Sequence, residues 1–88
     1  MSKKKNDTRE VRVMTVRTIG NETLVVSMGK AKDTGDVLGL PYIMCDEFVC
    51  NGGDLSPWRW EESGRISIQV RNISWCGYER SIEVVNKE

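Results

Sequence analysis

Over Arg65-Ile66-Ser67-Ile68-Gln69-Val70-Arg71, and again over Arg80-Ser81-Ile82-Glu83-Val84, apolar and polar residues alternate without a break. Successive side chains of an extended chain point to opposite faces, so a period of two marks a strand with one dry side and one wet side. Two such runs so close together read as a hairpin. If Ile66, Ile68 and Val70 share a face with Ile82 and Val84, paired residue numbers must sum to an even value. A three-residue loop, Trp75-Cys76-Gly77, satisfies that condition by pairing Val70 with Ile82 and Ile68 with Val84. It also sets Gly77 at the loop position that needs a positive φ.

The rest of the chain extends the same pattern. Glu10 to Thr18 predicts a strand, with Val11, Val13 and Val16 supplying β-branched residues. Gly20-Asn21 suits a two-residue turn into a return strand from Leu24 to about Met28-Gly29. That turn would set Val16 against Val25 and Val13 against Met28, burying both faces of the first strand. Lys30 to Gly39 reads as loop, rich in turn formers at Asp33-Thr34-Gly35-Asp36. Tyr42 to Cys50 favours a strand, although Pro41 and Asn51-Gly52 also permit a short helix. Ser56 to Gly64 resembles a single helical turn, with Ser56 as N-cap, Pro57 at the first position and Gly64 as terminator. The expected fold is all-β, or a β-dominated α+β fold. About five antiparallel strands would form a small sheet or partly closed barrel, with one short helix near 57–62.

Eighty-eight residues support one domain with a modest core. We expect residues 1–9 to be a flexible basic tail and residues 10–88 to be a single small β domain. The mostly apolar, uncharged run Val37–Cys45 is too short to span a bilayer. Lys3-Lys4-Lys5 is followed by Asn6-Asp7-Thr8-Arg9-Glu10, not by the apolar stretch of a signal peptide. With three cysteines, Cys45, Cys50 and Cys76, and no disulfide spacing, a cytoplasmic setting with reduced thiols is expected.

Chemistry is where the sequence excludes most. The chain has no histidine, the side chain most readily poised for proton transfer near neutral pH. No phosphate loop or nucleophile elbow is present. Asp46-Glu47, the acidic pair within an apolar stretch, would point to opposite faces of a strand. Neither an enzyme, a cofactor nor a metal site is expected, since a zinc site would lack a fourth ligand.

Charge is balanced overall but unevenly spread. Residues 1–32 carry eight basic and three acidic side chains, residues 33–62 one basic and seven acidic. Trp58-Arg59-Trp60 lies in the acidic third, and tryptophan and arginine are enriched where interfaces concentrate their affinity. The expected function is therefore a non-catalytic regulator or inhibitor that binds another protein. Trp58, Arg59 and Trp60 would make contact, and Asp46, Glu47, Glu61 and Glu62 would flank them. Small size, a solitary domain and missing catalytic equipment fit a viral accessory protein that blocks a surface on a host protein. The alternative is a small nucleic-acid-binding β-barrel, with Lys3–Lys5, Arg9, Arg12 and Arg17 supplying charge and Trp75 or Tyr78 a stacking surface. That alternative puts Arg12 and Arg17 on one exposed face.

Overall fold

Among the described residues, five strands, one short α-helix and one 3-10 turn follow in order: β1 (Thr8–Thr18), β2 (Thr23–Ser27), α1 (Thr34–Val37), β3 (Tyr42–Cys50), β4 (Trp60–Gln69), the 3-10 turn (Val70–Asn72) and β5 (Ile73–Val85). The structure, a computed structural model, describes residues 8–29, 31–51 and 59–86. The fold is all-β. β1 pairs antiparallel with β2 and β5, β2 with β3, and β3 with β4. A short parallel contact, Trp60 with Val84 and Glu61 with Val85, joins β4 to β5 and closes the sheet in a ring. The sheet is thus mixed at that seam rather than antiparallel throughout.

The two alternating runs are strands, except that Val70-Arg71 at the end of the first enter a 3-10 turn over Val70–Asn72, and they do not form a hairpin. β4 pairs along its length with β3, Ile68 opposite Ile43 and Ile66 opposite Cys45. β5 runs through Trp75-Cys76-Gly77 without turning and lies along β1. The three-residue loop occurs instead between β1 and β2. There Thr18 and Glu22 bracket Ile19-Gly20-Asn21, Thr18 N–H donates to Glu22 O at 2.9 Å, and Asn21 takes the positive φ of 67°. Asparagine tolerates that left-handed conformation better than most residues with a side chain. The extra loop residue shifts the pairing by one, so Val16 faces Leu24 and Val13 faces Ser27.

Helix and loop expectations are also redistributed. Tyr42–Cys50 is the strand favoured by its composition. Residues 60–62, the second half of the expected helix, are the start of β4, and residues 52–58 lie outside the described segments. The α-helix among the described residues falls within the expected loop. Asp33, in an extended conformation, caps it by accepting from Asp36 N–H at 2.9 Å, and Val37 is fully buried beneath it. β1 begins at Thr8, inside the expected tail, pairing Thr8 with Val85 and Arg9 with Val84; residues 1–7 lie outside the described segments.

Two apolar clusters result. The first gathers Met14, Val16, Val26, Met28, Val37, Ile43, Cys45 and Ile68; the second gathers Val13, Phe48, Ile82 and Val84, with Val11, Val25 and Trp60 packed against it. Odd and even residues of β1 go to different clusters, as do Val25 and Val26 on β2. The clusters therefore lie on opposite faces of β1 and β2, as alternation requires. β1 is buried on both sides, as its sequence implied.

Bulges make this possible. Val13 pairs with Arg80 and Thr15 with Gly77, so Tyr78 and Glu79 together oppose the single residue Met14. The insertion reverses the parity of β5, so Trp75 and Gly77 before it share a face with Arg80, Ile82 and Val84 after it. Ser63 is a similar insertion opposite Glu47 and Phe48, beside Gly64 with φ 153°, a region that residues with a Cβ rarely enter. Ser63 Oγ donates to Glu47 O at 3.3 Å.

Candidate functional site

The described residues among those expected to bind a partner lie at one end of the β3–β4 ladder but are split between its two faces. Trp58 lies outside the described residues, and Arg59 is exposed just ahead of β4. Trp60 is half-buried. It sits opposite Cys50, pairs in parallel with Val84 and forms part of the wall of the second cluster. Tryptophan in that position contributes mainly by burial.

The four flanking carboxylates do not converge. Asp46 and Glu62 lie on the face of β3 and β4 that carries Phe48, whereas Glu47 and Glu61 lie on the other. Asp46 accepts from Arg65 Nε at 3.3 Å and Glu62 from Arg9 at 3.1 Å, so both acids on the shared face already have cationic partners. Arg12 and Arg17 likewise point to opposite faces of β1. Arg12 meets Glu79 at 2.7 Å. The Thr34 backbone N–H and the Arg12 guanidinium hold the Glu79 carboxyl below its ordinary pKa. Glu79 thereby ties α1 to the sheet.

Cys45 and Cys76 carry the opposite electrostatics to those a nucleophile needs. Burial pushes Cys45 up to about 11, with Asp46 and Glu47 adding to the effect, and burial raises Cys76, with Glu79 adding. Among the described residues no three cysteine or carboxylate side chains are placed to hold a metal ion. No helix among them is long and apolar enough to cross a membrane.

Two surfaces stand out instead. The first lies where the chain leaves α1 and enters β3. Leu38 is 61% exposed, Tyr42 and Met44 are each 53% exposed, and Leu40 lies between them. Tyr42 and Met44 share one side of β3 because Ile43 and Cys45 take the other into the first cluster. A groove of about 310 Å³ is lined by Leu40, Tyr42, Ile43 and Met44, and Gln69 and Arg71 border the row on the β4 side. The sequence did carry a signal for this surface. A strand with apolar residues on both faces, next to a helix that fills the core with Val37, has more apolar area than the interior takes up.

The second surface is the face of β1 and β5 that presents Arg17, Thr15, Trp75 and Gly77. Trp75 and Tyr78 are both exposed there, and the Arg80 guanidinium lies 4.0 Å over the Tyr78 ring.

No protein-family model matches the chain, and no curated protein or solved structure is similar to it.

Proposed function

We propose that this chain is a non-catalytic binding protein that regulates or inhibits a protein partner by covering part of its surface. Its contact face is the row Leu38, Leu40, Tyr42 and Met44. The supporting observation is that these side chains are contiguous and outward on a face whose opposite side is already packed into the core. A contiguous apolar patch on a small domain marks an interaction site more often than chance.

The composition of the row favours a protein as its occupant. Tyrosine and methionine in the middle with arginine at the edge is the residue usage of protein interfaces, which are poor in lysine and acids at their centre. A lipid surface would instead call for a basic surround, and Arg71 is the one cation bordering the row among the described residues. The partner therefore presents a complementary apolar patch with polar groups around it. Three free thiols suit a reducing compartment, which supports a cytoplasmic site of action.

The contact residues proposed here replace Trp60, whose ring belongs to the second cluster. The test starts from partners captured in nuclease-treated lysate by wild type and by a Tyr42→Ser, Met44→Ser double variant. The captured protein is then purified and titrated against both. We expect the double variant to melt within a few degrees of wild type, because both side chains are outward. Its affinity should fall about tenfold or more, the effect of losing ~1.4 kcal/mol of contact. Equal affinities would sink the proposal. So would a wild-type dimer in sedimentation that the double variant abolishes, since a second copy would then occupy the row.

A further inference from the structure

Beyond the second cluster, the face of β1 and β5 that carries Trp75 has a different chemistry, and it uses none of the residues of the apolar row. Trp75 pairs directly with Arg17, and Gly77 with Thr15. Paired residues share a face and residues two apart stay on it, so these four side-chain positions form one patch. Within it the indole lies down rather than standing clear of the strand. A Cβ placed on Gly77 would fall 2.8 Å from Cζ2 and 3.2 Å from Cη2 of Trp75. The benzo edge of the ring therefore rests across the bare backbone of Gly77. Trp75 is nevertheless 51% exposed, which leaves the outer side of the ring open to solvent. An aromatic plane already held in place loses little conformational freedom when something stacks on it.

Tyr78 continues the patch. It is 67% exposed and sits in the bulge with φ 57°, a conformation a bulky residue rarely adopts and one that concentrates at ligand-holding sites. Arg80 fixes this geometry. Its guanidinium lies 4.0 Å from the Tyr78 ring centre and donates to Tyr78 O at 2.9 Å and to Thr15 Oγ1 at 3.1 Å. Among the described residues the ion pairs are Arg9–Glu62, Arg12–Glu79 and Arg65–Asp46, so neither Arg17 nor Arg80 has a carboxylate partner.

We propose that this face binds single-stranded nucleic acid, with a base stacked on Trp75, a second aromatic contact at Tyr78, and phosphates taken by Arg17 and Arg80. Open aromatic planes beside arginines that have no carboxylate partner among the described residues fit alternating bases and phosphates. A duplex keeps the faces of its bases inside the stack and offers nothing to the indole. A lone mononucleotide would not span the patch, because three strand positions separate the two aromatics by roughly 10 Å. None of the proposed contacts uses Lys3, Lys4 or Lys5, which any polyanion would attract.

The experiment is an anisotropy titration of the full chain with a labelled oligothymidylate of about 12 nucleotides, within the span such faces cover. A duplex of the same length and inorganic polyphosphate serve as comparators. We expect saturable binding that Trp75→Ala weakens about tenfold or more and Trp75→Phe largely keeps. Gly77→Ala should weaken binding similarly, since the added methyl lifts the ring off the strand, while the melting temperature stays close to wild type. Arg17→Ala should lower the slope of log affinity against log salt by about one. Binding indifferent to both Trp75→Ala and Gly77→Ala would falsify the proposal. Equal affinity for the duplex, or full displacement by polyphosphate, would overturn it as well by reducing the contact to charge alone.

Discussion

At the seam where β4 meets β5, Trp60 packs against the second cluster beside Val84 and Arg9 is engaged, reaching Glu62 at 3.1 Å and Asn86 at 2.9 Å. Toward the β1–β2 turn, Trp75 lies on the outside beside Arg17, which has no carboxylate partner among the described residues, and Leu38, Tyr42 and Met44 are open to solvent. The same residue types are thus used for closure at one end and left available at the other. Both tryptophans stand on the face of the second cluster: Trp60 pairs with Val84, and the bulge at Tyr78-Glu79 brings Trp75 onto the side of Ile82 and Val84. What differs is their place along the sheet, since that cluster reaches Trp60 and not Trp75.

The largest effects should come from the cores, and they test whether the two ends are one folding unit. Phe48→Ala, at the seam end, should cost about 3–5 kcal/mol, and Met14→Ala, in the other cluster, about 2–5 kcal/mol. Because β1 and β2 wall both clusters, each variant should still unfold in urea as a single transition. Separate transitions for the two ends would break the comparison. Next comes the turn that sets the register of β1 on β2. Asn21→Val should cost about 1–2 kcal/mol at its positive φ, and Asn21→Gly should change stability by only a few tenths.

A smaller, pH-dependent effect marks the first cluster. Cys45 ionises near 9 when unfolded and about 11 when folded, so its contribution is complete below pH 9 and is lost as pH rises toward 11. Denaturation curves of Cys45→Ala should be shifted down by the cavity yet lack that part of the alkaline decline. Glu79 has the reverse sign. Its folded carboxyl is more acidic than the unfolded one, so the stability it lends is present above the ordinary carboxylate range and disappears as pH falls through its lowered pKa. Glu79→Gln should flatten the acid limb. Smallest of all, Arg9→Ala at the seam should cost under about 1 kcal/mol, as exposed ion pairs do. Arg17→Ala at the open end should leave stability within about 0.5 kcal/mol of wild type. A large loss from Arg17→Ala would mean that this arginine is structural, sharpening the contrast in the opposite sense.

Much of the secondary structure was legible because alternation and β-branching are local. The expected strands Glu10–Thr18, Tyr42–Cys50 and Arg80–Val84 lie where the sequence implied, and the run Arg65–Arg71 is strand as far as Gln69. Of the candidate site, only chemical type was legible. Trp58-Arg59-Trp60 stands out by composition, while the apolar excess around Leu38, Tyr42 and Met44 is legible only as a run, with no sign of which of its members face outward. Sequence reports how apolar a residue is, not whether the interior has room for it.

What the sequence determined by itself was an all-β chain with strands of known place and a doubly buried first strand, because side-chain direction along a strand follows from backbone geometry alone. Pairing partners, the parallel seam and the exposed position of Trp75 were decided only by the tertiary structure. A bulge at Ser63 or Tyr78-Glu79 leaves no local pattern of its own, and one inserted residue changes which face every later side chain occupies. The turn at Ile19-Gly20-Asn21 shows the same physics on a small scale: one residue more than expected, and Val16 meets Leu24 instead of Val25.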